Sequence, residues 1–450
     1  MRRAVAVTLV AAAVAIAAAA FLLRNRAEKP RNVILISIDT LRQDRLGAYG
    51  YDRPTTPHLD ALAARGVLFE NATAPSSWTV PSHVSLLTGL YPQTHGATGR
   101  VQSMNQTVVP LASWLGSFGY DTGGVVNFVL LGRSRGFARG FEYFEVVRRP
   151  LPEPAAPLVN EKALAWLDQP RDLPFFLFVH HYDVHSDYAP KEAYRKMFVQ
   201  PYEGIATGAT DQLKAARSGR VELGPADAQH LSDLYDAEIR QIDDELGRFF
   251  QELERRGQLE NTIILLTSDH GEEFLEHGRF LHGWSLYEEL VKVPLLIAGP
   301  GIPHGLRVTE PVSLVDIFPT VTGLLGIEAP PVVEGIDLSM AWRGRAPLPT
   351  HRPVFFETDW WLGRADGEWK RAVQSGPWKL HYAHPQQAWE LYDLASDPGE
   401  HEDLAAREPE HGAELRALLA PRLGDNSATT PRVEPSADEM EQLRALGYVE

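Results

Sequence analysis

Asp39, Thr79, Asp269 and His270 are the side chains of this chain whose type and position best suit chemistry. Asp39 follows an apolar, β-branched run, Asn32–Ile38, and Asp269 follows another, Thr262–Ser268. Runs of that length read as buried strands of a parallel sheet, and such sheets place their ligands beyond the carboxyl ends of strands. Two carboxylates and an imidazole meeting there would form a hard-to-borderline divalent metal site. The same acids would equally serve to cap neighbouring helices. Thr79 stands in Thr79-Val-Pro81-Ser-His83, where Pro81 suits the first turn of a helix and the unpaired N–H groups of that turn suit an anionic ester. A threonine hydroxyl is protonated and weak at neutral pH. As a nucleophile Thr79 needs a metal on its oxygen, and otherwise it is an N-cap.

These residues need a scaffold that brings strand ends together. Residues 226–256 form the clearest helix, with Leu231, Leu234, Tyr235, Ile239, Ile242, Leu246, Phe249, Phe250 and Leu253 at gaps of three and four before Gly257. Further strand-like runs fall at 174–182 and 293–298. Alternating strands and helices predict an α/β fold with a mostly parallel central sheet flanked by helices. Residues 204–224 are polar and aperiodic, a surface excursion of the kind that can act as a lid. Beyond residue 345, short strand-like segments predict a small antiparallel C-terminal α+β subdomain. The expected division is a signal or anchor segment over 1–30, a catalytic domain over 31–345, and a C-terminal subdomain and tail over 346–450.

Composition narrows the function classes. With 43 Lys+Arg against 59 Asp+Glu the net charge is −16, so a nucleic-acid partner held through overall charge is not expected. Cysteine is absent from the sequence, which removes disulfides, zinc-thiolate sites and thiol nucleophiles. Arg2 and Arg3 precede an uncharged stretch over 4–23, followed by Arg24, Arg26 and Lys29. Twenty residues at ~1.5 Å each span ~30 Å, about one bilayer core, although ten of them are alanine. The expectation is an exported protein, periplasmic or cell-surface, either secreted after signal cleavage or held by a single membrane anchor.

Taken in order, the motifs resemble the sulfatase family of the alkaline phosphatase superfamily. The resemblance rests on residues 32–50 with Asp39, on Thr79-Val-Pro-Ser-His-Val-Ser-Leu-Leu-Thr-Gly89, and on 178–188 with His185. It continues through Ser268-Asp-His-Gly-Glu272, Glu276-His-Gly278, Leu286-Tyr-Glu-Glu289 and Leu391-Tyr-Asp-Leu-Ala-Ser-Asp-Pro398. It implies an alkaline phosphatase-like fold, an anionic ester substrate, and a metal bound by Asp39, Thr79, Asp269 and His270. The departures are informative. Typical sulfatases carry Cys or Ser, oxidised to formylglycine, where this chain has Thr79, so no formylglycine forms here. Arg of that signature is His83, a second aspartate is Thr40, and His270 replaces an asparagine. An imidazole in place of an oxygen ligand shifts the expected ion toward manganese or zinc and away from calcium or magnesium.

Threonine beside an Asp-His pair also resembles the phosphoryl-transferring relatives, the nucleotide pyrophosphatase/phosphodiesterases and the phosphoglycerol and phosphoethanolamine transferases. The first of these use two zinc ions. A second ligand set is therefore conceivable in His181, Asp183, His185 and His282, the first three sharing one face if the strand continues. The competing reading makes His185 and His282 donors to the ester oxygens, with His83 or His282 protonating the leaving group. Glu272 and Glu273 read as helix-start charges or outer partners, His180, His277 and Asp187 have no assignment, and Trp360 and Trp361 either line a cleft or pack the subdomain. The function expected is metal-dependent hydrolysis of a sulfate ester through Thr79. Phosphodiester or phosphonate-ester hydrolysis, phosphoryl-alcohol transfer, and a non-catalytic surface-anchored binding protein are the alternatives.

Overall fold

A computed structural model describes residues 31–99, 102–148, 154–344, 347–359, 368–424, 433–434 and 436–445. The N-terminal segment and the pair Trp360 and Trp361 lie outside the described residues. Among the described residues no helix is long and apolar enough to cross a membrane.

The central sheet has eight strands: β1 (Asn32–Ile38), β2 (Gly66–Phe69), β3 (Asp121–Val126), β4 (Tyr143–Val146), β5 (Phe175–His181), β6 (Thr262–Ser268), β7 (Leu295–Ala298) and β8 (Leu306–Val308). Their order is β8-β2-β7-β6-β1-β5-β3-β4, parallel throughout except that β7 runs antiparallel to both its neighbours. The register carries the functional consequence. Ile38 at the end of β1 lies opposite Ser268 of β6 and His181 of β5, so the next residues, Asp39 and Asp269, leave the sheet side by side.

Both faces of the sheet are buried, as a parallel sheet requires. Val33 and Leu35 face a core layer containing Val84 and Leu87 of α1 (Thr79–Thr88) and Phe318 of α2 (Ile317–Leu325). Ile34, Ile36 and Ile38 face a second layer containing Leu231, Tyr235, Ile239 and Leu246 of α3 (Pro225–Arg255). Each such side chain contributes about 1.5–3 kcal/mol when fully buried. The α3 helix starts at Pro225, where Asp227 Oδ2 accepts from Gly224 N at 2.7 Å, and it stops before Gly257, whose φ of +66° suits glycine. Strands β2, β3, β4 and β8 carried no clear sequence signal. In Asp121-Thr-Gly-Gly-Val-Val126 the glycines suppress the apolar pattern, yet a Cβ on Gly123 would sit 2.7 Å from the Trp166 ring. The excursion over 204–224 is ordered around a helix, α4 (Thr210–Arg217).

The C-terminal part is an antiparallel sheet, β9 (Val354–Thr358), β10 (Trp369–Ser375), β11 (Trp378–His384) and β12 (Ala388–Asp393), backed by α5 (Pro409–Leu419). It docks through Val354, Phe356 and Ala372 onto Leu286, Leu290 and Val291. Glu400 clasps the joint: its Oε2 accepts from Glu288 N at 2.6 Å, and its Oε1 lies 3.2 Å from Lys379 Nζ and 2.8 Å from His381 Nε2. Burial pushes this carboxyl up, but Lys379 and His381 more than offset that and hold it at about 2. A folded-state value below the ordinary 4.5 means stability present above that pH and lost as pH falls toward 2. Glu400→Gln should therefore cost about 3 kcal/mol at pH 7, and urea unfolding should show the gap from wild type closing between about pH 4.5 and pH 2.

Candidate active site

Thr79 is the first residue of α1, with Trp78 at the N-cap and no side chain capping the helix, so the threonine hydroxyl is spared for another role. Its Oγ1 lies 3.2 Å from His270 Nε2. His270 Nδ1 faces the Gly271 carbonyl at 2.9 Å. A carbonyl only accepts, so Nδ1 carries the hydrogen and Nε2 turns its lone pair toward Thr79.

Asp39, Asp269 and His270 form a fully buried group whose ligand atoms all lie within 4.8 Å of one another. Asp269 Oδ1 accepts from Thr40 N at 3.2 Å and from His270 N at 3.0 Å, and its Oδ2 lies 3.3 Å from His270 Nε2. Neither acid caps a helix. Thr40 sits at φ +56°, a conformation held by Tyr235, whose hydroxyl donates to the Thr40 carbonyl at 2.7 Å and accepts from Arg42 N at 2.9 Å. Both Asp39 oxygens and Asp269 Oδ2 are buried without a hydrogen-bond donor. Burial first, then the charges of Asp269 and Glu272, push the Asp39 carboxyl well above the ordinary carboxylate range. Repelling buried carboxylates with unused oxygens are what a divalent cation relieves, so the residues present fit one.

Two more imidazoles underlie this group. His83, fully buried, places Nδ1 at 2.9 Å from the Thr79 carbonyl and 3.4 Å from Asp269 Oδ2, while Nε2 lies 3.0 Å from Ser37 Oγ. Burial lowers its pKa. His180 lies 3.4 Å from Asp39 Oδ2 and packs edge-on against His83, ring centres 4.9 Å apart. Sequence reasoning left His180 unassigned. Strand alternation was the available signal, because His180 shares a face with Phe176 and Phe178, the face packed against α1.

On the other side of His270 lie His282 and His185, with ring centres 4.4 Å from His270 to His282 and 5.0 Å from His282 to His185. His282 Nδ1 is 3.0 Å from Glu272 Oε1, and Tyr188 donates to Glu272 Oε2 at 2.9 Å. Glu272 is thus the buried partner of His282 rather than a helix-start charge, and Glu273 accepts from His277 N and Arg279 N in a tight hairpin. His185 Nδ1 faces the Ser186 carbonyl at 2.8 Å, and its ring stacks on Tyr182. Burial holds the His185 imidazole down at about 3.

The four-residue second ligand set does not assemble. The strand ends at His181, which turns to the face opposite His180, and Asp183 Oδ1 accepts from Ala155 N at 2.8 Å. Among the described residues the other group of three acids and imidazoles close enough to share an ion is His58, Asp243 and Asp244. There Asp243 accepts from His58 N and Leu59 N, each at 2.9 Å, at the start of the helix Pro57–Ala64, while Asp244 pairs with Arg240 at 2.9 Å. That cluster anchors a helix.

A family model described as Sulfatase matches residues 31–327, and one described as N-sulphoglucosamine sulphohydrolase, C-terminal, matches residues 275–428. The chain is 28% identical over 433 residues to a Delta 4,5-hexuronate-2-O-sulfatase of Bacteroides thetaiotaomicron, covering 87% of this chain and 88% of that protein. Its fold is similar to that of a solved protein in complex with its substrate D-glucosamine-2-N,6-O-disulfate, with a TM-score of 0.75 at 20% identity, covering 90% of this chain and 99% of that one. A phosphonate monoester hydrolase of Agrobacterium radiobacter is also similar, with a TM-score of 0.70 at 22% identity and coverage of 89% and 96%.

Proposed function

The chain belongs to the sulfatase family of ester-bond hydrolases, and from that premise we propose that it cleaves a sulfate ester carried by a sugar, with Thr79 attacking and a divalent ion held by Asp39, Asp269 and His270. The supporting observation is the placement of Thr79 Oγ1, 3.2 Å from His270 Nε2 at the positive end of a buried helix, beside carboxylate oxygens that lack donors. The sugar sulfatase among the relatives supports the substrate class. Two carboxylates with an imidazole favour manganese or zinc over calcium or magnesium.

When bound, such an ion supplies Lewis acidity, drawing charge from an ester oxygen and easing loss of the threonine proton. Without the ion, His270 Nε2 accepts the Thr79 hydroxyl hydrogen bond; in the loaded site that lone pair would go to the ion, next to Oγ1. His83 ties the Thr79 carbonyl to Ser37, so it positions the nucleophile from below instead of acting on the leaving group. As Thr79 Oγ1 attacks sulfur in line, its proton passes to the Nε2 of His282, whose Nδ1–H is held by Glu272; the S–O bond to the sugar breaks and the departing alkoxide takes that proton from His282. Water, deprotonated by the same His282, then attacks the threonine sulfate and releases sulfate. The basic-flanked apolar stretch over 4–23 supports export of this activity, to the periplasm or cell surface.

Thr79 carries one second reading. An aldehyde hydrate expels sulfate readily, and threonine offers no such route, so phosphonate-ester hydrolysis is the rival chemistry. Wild-type protein from residue 31 onward, loaded in turn with manganese, zinc and calcium, should turn over N-acetylglucosamine 6-sulfate faster than an aryl phosphonate monoester at equal concentration. A higher kcat/KM on the phosphonate would replace the sulfate assignment, and turnover of neither would reject it.

A further inference from the structure

The helix α4 is strapped across the two imidazoles that flank the cluster. At its start, Thr210 donates its N–H to Asp187 Oδ1 and its Oγ1 lies 3.0 Å from Ser186 Oγ, in the same turn whose carbonyl holds His185. The preceding chain is fixed by Tyr188 N, which donates to the Gly208 carbonyl at 3.0 Å. Gly208 has φ +80°, and a Cβ there would lie 2.7 Å from the Tyr188 carbonyl, so glycine is required. Leu213 buries the inner face of the helix. At its end the Arg217 guanidinium lies 4.8 Å from the ring centre of Trp284, two residues beyond His282, and Arg279 approaches the same ring at 5.6 Å.

Lys214 and Arg217, three residues apart, share one side of α4. Both are half-buried, whereas Thr79, Asp39, Asp269 and His270 are fully buried and His282 is 4% exposed. The two cations are therefore the more exposed groups, outward of the ester-cleaving ones. They belong to the helix that packs against Phe280–Leu281, the segment leading into His282. In a chain of net charge −16, positive charge set beside the site by a tethered helix suits an anionic group.

We infer that Lys214 and Arg217 hold a second anionic substituent of the substrate, so that the preferred sugar carries another sulfate or a carboxylate beside the ester that is cleaved. This rests on the proposed sulfate-ester hydrolysis and names its substrate class. The reacting ester has its place at Thr79 and the buried cluster, and cations farther out meet the neighbouring positions of the sugar ring.

The test compares N-acetylglucosamine 6-sulfate with glucosamine-2-N,6-O-disulfate, measuring kcat and KM on wild type, Lys214→Gln, Arg217→Gln and the double variant. Calorimetric binding of both sugars, with the same changes placed in a Thr79→Ala background, gives affinity without turnover. The double variant should bind the disulfate about 10-fold or more weaker and raise its KM equally, change the monosulfate less than about 2-fold, and keep the same kcat. Arg217→Lys should recover most of the loss, which a collapsed strap would not permit. Equal weakening of both sugars, no weakening of either, or no binding of the disulfate by the parent protein would overturn the inference. Charge-dependent preference for the disulfate without turnover by wild type would support it while rejecting the hydrolytic reading.

Discussion

Thr79→Ala should lower kcat by roughly 10⁴-fold or more on whichever ester the enzyme hydrolyses, a barrier increase of about 5.5 kcal/mol. KM should change little, because the threonine hydroxyl forms its bond to sulfur in the transition state and contributes little to holding the ground-state ester. The substitution removes one hydroxyl and a methyl from a site with no exposed surface, and α1 keeps its N-cap at Trp78 and its packing through Val84 and Leu87. Thermal unfolding should therefore stay within a few degrees of wild type. Thr79→Ser retains an oxygen near His270 Nε2 and should keep activity within about 10–100-fold. Mass spectrometry of a quenched reaction adds an independent readout: a sulfate adduct on the peptide containing Thr79 in wild type, and none in Thr79→Ala. An alanine variant with undiminished kcat would rule out nucleophilic catalysis by this residue.

Asp269→Asn should produce the second large effect, with opposite signs in the metal-free and metal-loaded protein. Asparagine keeps Oδ1 as acceptor for Thr40 N and His270 N, so the turn after β6 is preserved. It removes the charge that, after burial itself, most opposes ionisation of Asp39. The metal-free variant should accordingly melt a few degrees higher than metal-free wild type, equivalent to about 1 kcal/mol. The loaded protein should behave oppositely. Outer partners of metal ligands change affinity about 10–100-fold, so loss of a ligating carboxylate should weaken manganese or zinc binding by more than about 100-fold. Titration calorimetry, metal content after dialysis and the metal-induced rise in melting temperature each report this without relying on turnover. Unchanged affinity in Asp269→Asn would exclude Asp269 as a ligand.

The sequence determined by itself the central strands and the placing of two acids at their ends. Asn32–Ile38 and Thr262–Ser268 are apolar enough that only burial on both faces satisfies them, which forces their polar ends, Asp39 and Asp269, to the carboxyl edge of the sheet. The 3.6-residue period of α3 and the Thr79-Val-Pro-Ser-His83 pattern were equally local, so they could be read without neighbours. Strands β2, β3, β4 and β8 were not, because short or glycine-rich segments draw their strand character from partners already in place.

Only the tertiary structure decided how the histidines divide. Most of the named acids and imidazoles lie within a few residues of a strand end, and the sequence cannot tell which face each presents once the strand stops. Ending β5 at His181 turned His180 toward Asp39 and sent His181 away, which dissolved the four-residue second ligand set and supplied an inner partner that periodicity alone had not placed. Tertiary packing likewise paired Glu272 with His282 and carried Arg217 onto Trp284 beside His282, from a polar stretch without clear periodicity. Strand register and hydrophobic period act over a few residues, whereas hydrogen bonds that close this site join segments 46, 191 and 229 positions apart, and those contacts exist only once the chain has closed.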